Sequence, residues 1–376
     1  MEPFVDLLDM PKDLGFDAER LRRADALIAR GVEDRLYTAA VYAILRHGRI
    51  AAYGAFGHPQ PDVEQPQPTT IDTIFDMASI SKTITATLLL HCVEDGRVHL
   101  KQLVQVHLPE ALDTPVGKLT LFQLVTHTSG LPPWKAVDEA ATPLAAIMGA
   151  TLDAEPGSQY AYSDLGYILL GIILERILQS TIDVLAQEMI FAPLGMTRTC
   201  YNPLVSLPVS LQSAIAATAH GETAKSEPSV GLVHDPNARS MGGAAGHAGL
   251  FSCAPDMVRF SLALMYPEQA VQRGLPALLG PLARRLATER QTDPAVGGHS
   301  IGWFTVPNGY LPRGDLLSER TFGHSGFTGT LLMHDPQTSS TVLLLTNRVY
   351  YAAENDGSAF LRMRPLLANL VASAIR

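Results

Sequence analysis

The sequence predicts an α+β fold: an antiparallel sheet flanked by helices, with a helical domain inserted. Three observations lead there. A helix-period segment and a hairpin pattern open the chain. Strand-like runs and one more helix close it. The long middle reads as helical pieces broken by glycine and proline. Sheet material at both ends then forms one α/β domain, residues 1–94 plus 296–376, and residues 95–295 form the mostly helical insertion. A cleft is expected between them.

The elements follow in order. "DAERLRRADALIARGV" is amphipathic and predicts a helix over 17–31, with Arg20–Arg23 on its solvated face. "TAAVYAILRHGRIAAYGAFG" reads as a hairpin turning at His47-Gly48. The polar, proline-rich "HPQPDVEQPQPTT" is a surface loop, and "TIFDMAS" leads into a helix starting near Ser79. Asp164 to about Gln179 is the clearest helix of the middle region, with Asp164 as its cap. "FAPLGM" is a turn that packs Leu194 and Met196 inward, and "GGAAGHAGLF" demands unusual backbone angles or close packing. A helix over 252–267 is expected to be capped at Ser252. "HSIGWFTVP", "RTFGHSGFTG", "TGTLLMHDP" and "STVLLLTNRVY" read as strands, with a turn at Asp335-Pro336-Gln337-Thr338. "SAFLRMRPLLANLVASAIR" closes the chain as an amphipathic helix.

Composition bounds the function. With 47% apolar and 17% charged residues, this is a globular chain, and its 376 residues suffice for one large domain or two intertwined ones. A net charge of -9 disfavours nucleic acid as substrate or partner. Cys92, Cys200 and Cys253 cannot all pair and form no C-x-x-C, so they are expected as free thiols in a reducing compartment. "MEPFVDLLDMPKD" lacks a basic n-region and a long apolar core, and no run reaches membrane-spanning length. A cytoplasmic protein with no membrane partner is the expectation. The histidines form no tight ligand cluster, so no metal is expected, and no cofactor motif is present.

Three segments carry candidate chemistry. Lys82 alone among the lysines has a serine three positions upstream, Ser79, and one helical turn puts both on one face. "TITATLLLH" follows, so the helix is largely buried. Its lysine must find a partner or lose its charge, and a desolvated amine can take a serine proton. Tyr162-Ser163-Asp164 precedes the helix "LGYILLGIILERI"; a phenol beside an ammonium can act as a base. Gly323-His324-Ser325-Gly326-Phe327 sits in strand context, where glycine lets backbone run beside a substrate. The amide just beyond Gly326 and the amide of Ser79 then form an oxyanion hole.

In this order the three segments resemble the serine hydrolase superfamily of class C beta-lactamases, D-alanyl-D-alanine peptidases and related esterases. "FDMASISKTITA", "LVTHTSGLP", "YSDLGYILLG", "AGHAGLFSCAPDMVRF" and "GHSGFTGT" carry the resemblance over roughly residues 20–370. It implies a beta-lactamase/transpeptidase-like fold, Ser79 as the acylated serine, Lys82 as the motif lysine and Tyr162 as the proton-handling tyrosine. His324 and Gly326 match the third motif, and Phe327 lends the second oxyanion amide. Two departures stand out. Asp164 replaces an asparagine that holds the substrate amide, and an ionised aspartate donates no hydrogen bond. His324 replaces a lysine and is a weaker anchor for a carboxylate. Both favour uncharged esters.

The reading is a carboxylesterase for small to medium acyl esters, in the branch similar to family VIII carboxylesterases. The alternatives are a beta-lactamase, a D-alanyl-D-alanine peptidase-like hydrolase or an acyltransferase using the same serine; a non-enzymatic binding protein fits less well. Ser325 supports the site, and Trp134, after Pro132-Pro133, is a candidate wall of the acyl or alcohol pocket. Ser129 and His127 are expected to shape a loop near the cleft. Gly298-His299-Ser300-Ile301-Gly302 fits G-x-S-x-G, but lacks the preceding strand and following helix of a nucleophile elbow.

Overall fold

The computed structural model describes residues 7–376 except 139, 219–228 and 353. Its strands are β1 (Ala39–Arg46), β2 (Arg49–Gly57), β3 (Phe75–Asp76), β4 (Cys200–Tyr201), β5 (Leu250–Ser252), β6 (Phe304–Thr305), β7 (Phe322–Ser325), β8 (Leu331–Asp335) and β9 (Ser340–Thr346). The main sheet runs β2-β1-β9-β8-β7-β6, every pair antiparallel. The long helices are α1 (Ala18–Glu33), α2 (Ser81–Glu94), α3 (Asp164–Leu178), α4 (Ala254–Met265) and α5 (Ser358–Ser373). This is the α+β architecture expected.

Side-chain alternation divides the sheet's two faces. Ala40, Tyr42 and Ile44 of β1 join Val342 and Leu344 of β9 in a core with Leu21, Ala24 and Ile28 of α1 and Phe360, Leu367 and Val371 of α5. Ala39, Val41, Ala43 and Leu45 join Leu343 and Leu345 in the larger core, which contains α2 and α3. The β1–β2 turn uses His47 at φ +50° and Gly48 at φ +71°, the left-handed pair that suits a two-residue hairpin. Asp17 caps α1, accepting from the Glu19 and Arg20 amides.

α2 is buried along residues 81–90, which explains its unbroken apolar run. Its threonines find partners without water. Thr83 and Thr87 donate back to Ile80 and Thr83 carbonyls, and Thr85 donates to the Gly246 carbonyl at 2.7 Å.

Within the mostly helical middle region, β4 and β5 pair with each other and with β3 from the preceding segment in a second small sheet. Two expectations need correction. Ser252 belongs to β5 and shares a 2.7 Å hydrogen bond with Thr199, while Cys253 occupies the cap position of α4. The strand expected at 299–307 shrinks to β6, because Ser300–Trp303 closes a tight turn through the Ser300 amide and Trp303 carbonyl. The free thiols expected at Cys92, Cys200 and Cys253 are present, all three buried. Among the described residues, no helix is long and apolar enough to cross a membrane.

Asn347 locks the end of β9 to the start of β1. Its carbonyl accepts from the Thr38 and Ala39 amides, and its NH2 donates to Thr38 Oγ1 and the Ala217 carbonyl. The residue is buried, so truncation strands those groups in a dry site. Asn347→Ala is expected to lose at least about 2 kcal/mol in urea unfolding; a loss below about 0.5 kcal/mol would remove this lock from the account.

Candidate active site

Ser79 lies in the 3-10 turn Ala78–Ile80 that feeds α2. Ala78 holds φ +46°, a left-handed angle unusual for a residue with a Cβ. The turn is held by Asp76. One carboxylate oxygen accepts from the Ala78 amide at 2.8 Å, the other from the His234 amide at 2.7 Å. Burial pushes the Asp76 carboxyl up to about 6, against the pull of those two amides.

One turn into α2, Lys82 is fully buried. Its Nζ donates to Ser79 Oγ at 3.0 Å and to the His247 carbonyl at 3.0 Å, and pairs with Asp164 Oδ1 at 2.7 Å. Two of the amine's donors thus have hydrogen-bond acceptors, and Asp164 adds an ion pair in which its Oδ1 accepts no hydrogen bond. The expected cap role of Asp164 is therefore not what the structure shows. Ser163 is the cap residue of α3; its hydroxyl donates to the Pro132 carbonyl and its amide to His127 Nδ1. Asp164 is the first helical residue, and its carboxylate serves the lysine.

Tyr162 completes the cluster. Its ring centroid lies 5.0 Å from Lys82 Nζ. Burial raises the phenol well above its ordinary value, the Asp164 charge adds to this, and a hydrogen bond with Ser79 opposes it. The direction favours the protonated phenol at rest. His127 backs the ring, 4.4 Å between centroids, and is itself buried and held neutral by desolvation. That is a supporting role, as expected for the loop it belongs to.

The third segment reaches the site through a close approach. A Cβ on Gly326 would stand 2.2 Å from Thr330 Oγ1 and 2.5 Å from the Met77 carbonyl, so only glycine fits. Thr328 Oγ1 donates to the Asp76 carbonyl and Thr330 Oγ1 to the Met77 carbonyl. These bonds staple the loop between β7 and β8 onto the serine turn and bring Phe327 beside Ser79. The Phe327 ring is 60% exposed, between His234 and the Arg348 guanidinium. His324 departs from expectation. It is 0% exposed, stacked on Phe304 at 4.3 Å and held neutral by burial, behind Tyr162 rather than at the pocket wall. Ser325 takes the wall position instead.

A pocket of about 590 Å³ joins these groups. Ser79, Tyr162, Asp164, Ser325, Gly326, Phe327 and the half-exposed Trp134 all line it. Ser300, the serine of the G-x-S-x-G match, is fully buried elsewhere and donates to the Ala287 carbonyl. Among the described residues, no cluster of histidine, cysteine and acidic side chains is arranged to hold a metal.

Residues 24–363 match the Beta-lactamase family model. The chain belongs to the beta-lactamase family. It is a serine hydrolase by that membership. It is 30% identical over 379 aligned positions to an Escherichia coli (strain K12) protein named "Putative D-alanyl-D-alanine carboxypeptidase", covering 90% of this chain and 84% of that one. Among solved structures it resembles a beta-lactamase/D-alanine carboxypeptidase from Pseudomonas syringae, with TM-score 0.71, 23% identity and coverage of 93% and 99%. It also resembles EstCE1, described as a hydrolase with promiscuous acyltransferase activity, with TM-score 0.69, 20% identity and coverage of 92% and 98%. At these identities the two structures bear on the fold alone.

The motif reading missed part of the pocket. Asp235, His247, Arg348 and Arg364 also line it. The "HD" and "GHAG" of the 234–249 stretch were the available signal for the first two, yet no spacing rule joins residues twelve apart in loops. The arginines come from the β9 exit and α5.

Asp76→Asn keeps one acceptor and turns an NH2 toward an amide that needs one. It is expected to lower the rate of Ser79 labelling by a fluorophosphonate by roughly 10- to 100-fold, equivalent to about 1–3 kcal/mol. An unchanged labelling rate would show that the serine turn does not depend on Asp76.

Proposed function

We propose that Ser79 is the acylated nucleophile of a hydrolase for small acyl substrates bearing a carboxylate. The observation that carries the nucleophile assignment is Ser79 Oγ 3.0 Å from the buried Lys82 Nζ, with the Tyr162 ring 5.0 Å from the same amine and both Ser79 and Tyr162 lining one pocket. Ser79 Oγ attacks the substrate carbonyl carbon. Its proton passes to the Tyr162 oxygen while the tyrosine's own proton passes to the leaving group, so the phenol never has to ionise. The amides of Ser79 and Phe327 hold the tetrahedral oxyanion, and the Lys82 charge stands beside Oγ. Water then releases the acyl group.

The substrate class rests on two arginines of the pocket lining. Among the described residues neither Arg348 nor Arg364 has a carboxylate partner. Arg348 Nε donates to the Phe327 carbonyl, and Arg364 Nε is buried without a partner. Burial and the neighbouring Arg348 charge push the Arg364 guanidinium down to about 10. Two desolvated cations beside a nucleophile favour an anionic substrate group. This supports the peptidase or lactamase reading, in line with the relative's name, over the uncharged esters that Asp164 and His324 suggested. Trp134, Phe304, Tyr310, Phe327 and Phe360 give the pocket an aromatic lining, which supports the carboxylesterase as a second reading.

The test is a panel of p-nitrophenyl acetate, butyrate and octanoate, nitrocefin and a D-alanyl-D-alanine peptide, with wild type and Ser79→Ala. Turnover of at least one substrate is expected to vanish in Ser79→Ala; turnover that survives it would end the assignment. Arg364→Ala is expected to raise KM roughly 10- to 100-fold for carboxylate-bearing substrates and to leave neutral esters within about threefold. Equal effects on both would remove the anion preference.

A further inference from the structure

His247 is used twice by the fold. Its carbonyl holds Lys82 Nζ. Its ring Nε2 lies 2.7 Å from Asp235 Oδ1, an oxygen that also accepts from the Ala238 amide. The backbone is pinned independently of the ring. A Cβ on Gly246 would stand 2.1 Å from the Tyr167 carbonyl, so the loop lies directly against α3. Thr85 fixes the Gly246 carbonyl, and Ser81 Oγ accepts from the Leu250 amide. The ring therefore does not need Asp235 merely to keep the loop in place.

The pairing sets the tautomer. Burial would raise the Asp235 carboxyl, but the hydrogen bonds from His247 and from the Ala238 amide hold it below its ordinary value, so it is ionised. A carboxylate at Nε2 calls for the proton there and leaves a lone pair on Nδ1. His247 Nδ1 is buried and has no hydrogen-bond partner, in a side chain only 1% exposed. Both residues line the same pocket as Ser79. An Asp–His pair with an unengaged ring nitrogen beside a nucleophilic serine has the parts of a general base and its orienting group.

The rest of the cluster leaves that task open. Lys82 Nζ is engaged by Ser79 Oγ and the His247 carbonyl, and the Asp164 carboxylate is ion-paired to it. Tyr162 is a phenol that relays one proton for each proton it accepts.

We propose that His247, oriented by Asp235, is the general base for the water that hydrolyses the Ser79 acyl-enzyme. This rests on the proposed acyl-enzyme. Nδ1 takes a proton from water as the water oxygen bonds to the acyl carbon, and the Asp235 carboxylate faces the resulting imidazolium. When the carbon–Oγ bond breaks, Oγ takes a proton from Tyr162. The proton on His247 passes through solvent to restore the phenol. The product leaves as the free acid, and all groups return to their starting state.

The test separates acylation from deacylation. Wild type, His247→Gln and Asp235→Asn are mixed with a p-nitrophenyl ester in stopped flow, and acylated Ser79 is followed by intact mass. His247→Gln is expected to acylate within about threefold of the wild-type rate and then stall, with deacylation slowed roughly 100-fold or more. Added imidazole is expected to recover turnover in His247→Ala. Asp235→Asn is expected to slow deacylation in the same direction, and carries the test alone if the His247 variants do not fold. Acylation and deacylation falling together, or neither changing, would overturn the proposal and leave His247 a structural residue. No Ser79 adduct in the wild type with any substrate would instead sink the acyl-enzyme reading beneath it.

Discussion

The site depends on one buried charge. Lys82 stands in the first turn of a helix whose residues 81–90 are all buried, where an unpaired ammonium is prohibitively costly. Three elements answer it: the serine turn through Ser79, the glycine-rich loop through the His247 carbonyl, and the start of α3 through Asp164. Removing one partner of such a buried pair costs about 3–5 kcal/mol in general. The lysine therefore assembles the pocket as well as serving it.

Backbone contact explains how segments far apart in sequence reach that point. Gly326 lets the β7–β8 loop touch the Met77 carbonyl, and Gly246 lets the 245–250 loop touch α3. Threonine and aspartate side chains then bind these loops to one another: Thr328 to Asp76, Thr85 to Gly246, Asp76 to both Ala78 and His234. Few of these groups contact solvent. Their precision comes from satisfied polar pairs in a dry interior, where a missing partner is expensive.

Charge divides the pocket. Asp164 and Asp235 line it together with Arg348 and Arg364. The first pair orders basic groups, Lys82 and His247. The second pair has no acidic partner of its own among the described residues.

Local pattern made much of this legible. Alternation and helix periods determined the sheet faces, α1, the β1–β2 hairpin and α5, because each is a short-range consequence of which side is buried. The spacing of Ser79 and Lys82, the tyrosine before α3 and the glycine beside Phe327 identified residues that do converge. What the sequence did not determine is where long-range partners fall. Asp164 looked like a cap, because an acid at a helix start ordinarily serves its own backbone; only the packing of α3 against α2 turned it to Lys82. His324 looked like a pocket residue until the sheet buried it against Phe304. His247 and Asp235, or Arg348 and Arg364, have no shared period. Their proximity is decided by chain closure alone, through loops whose paths depend on the whole packed core.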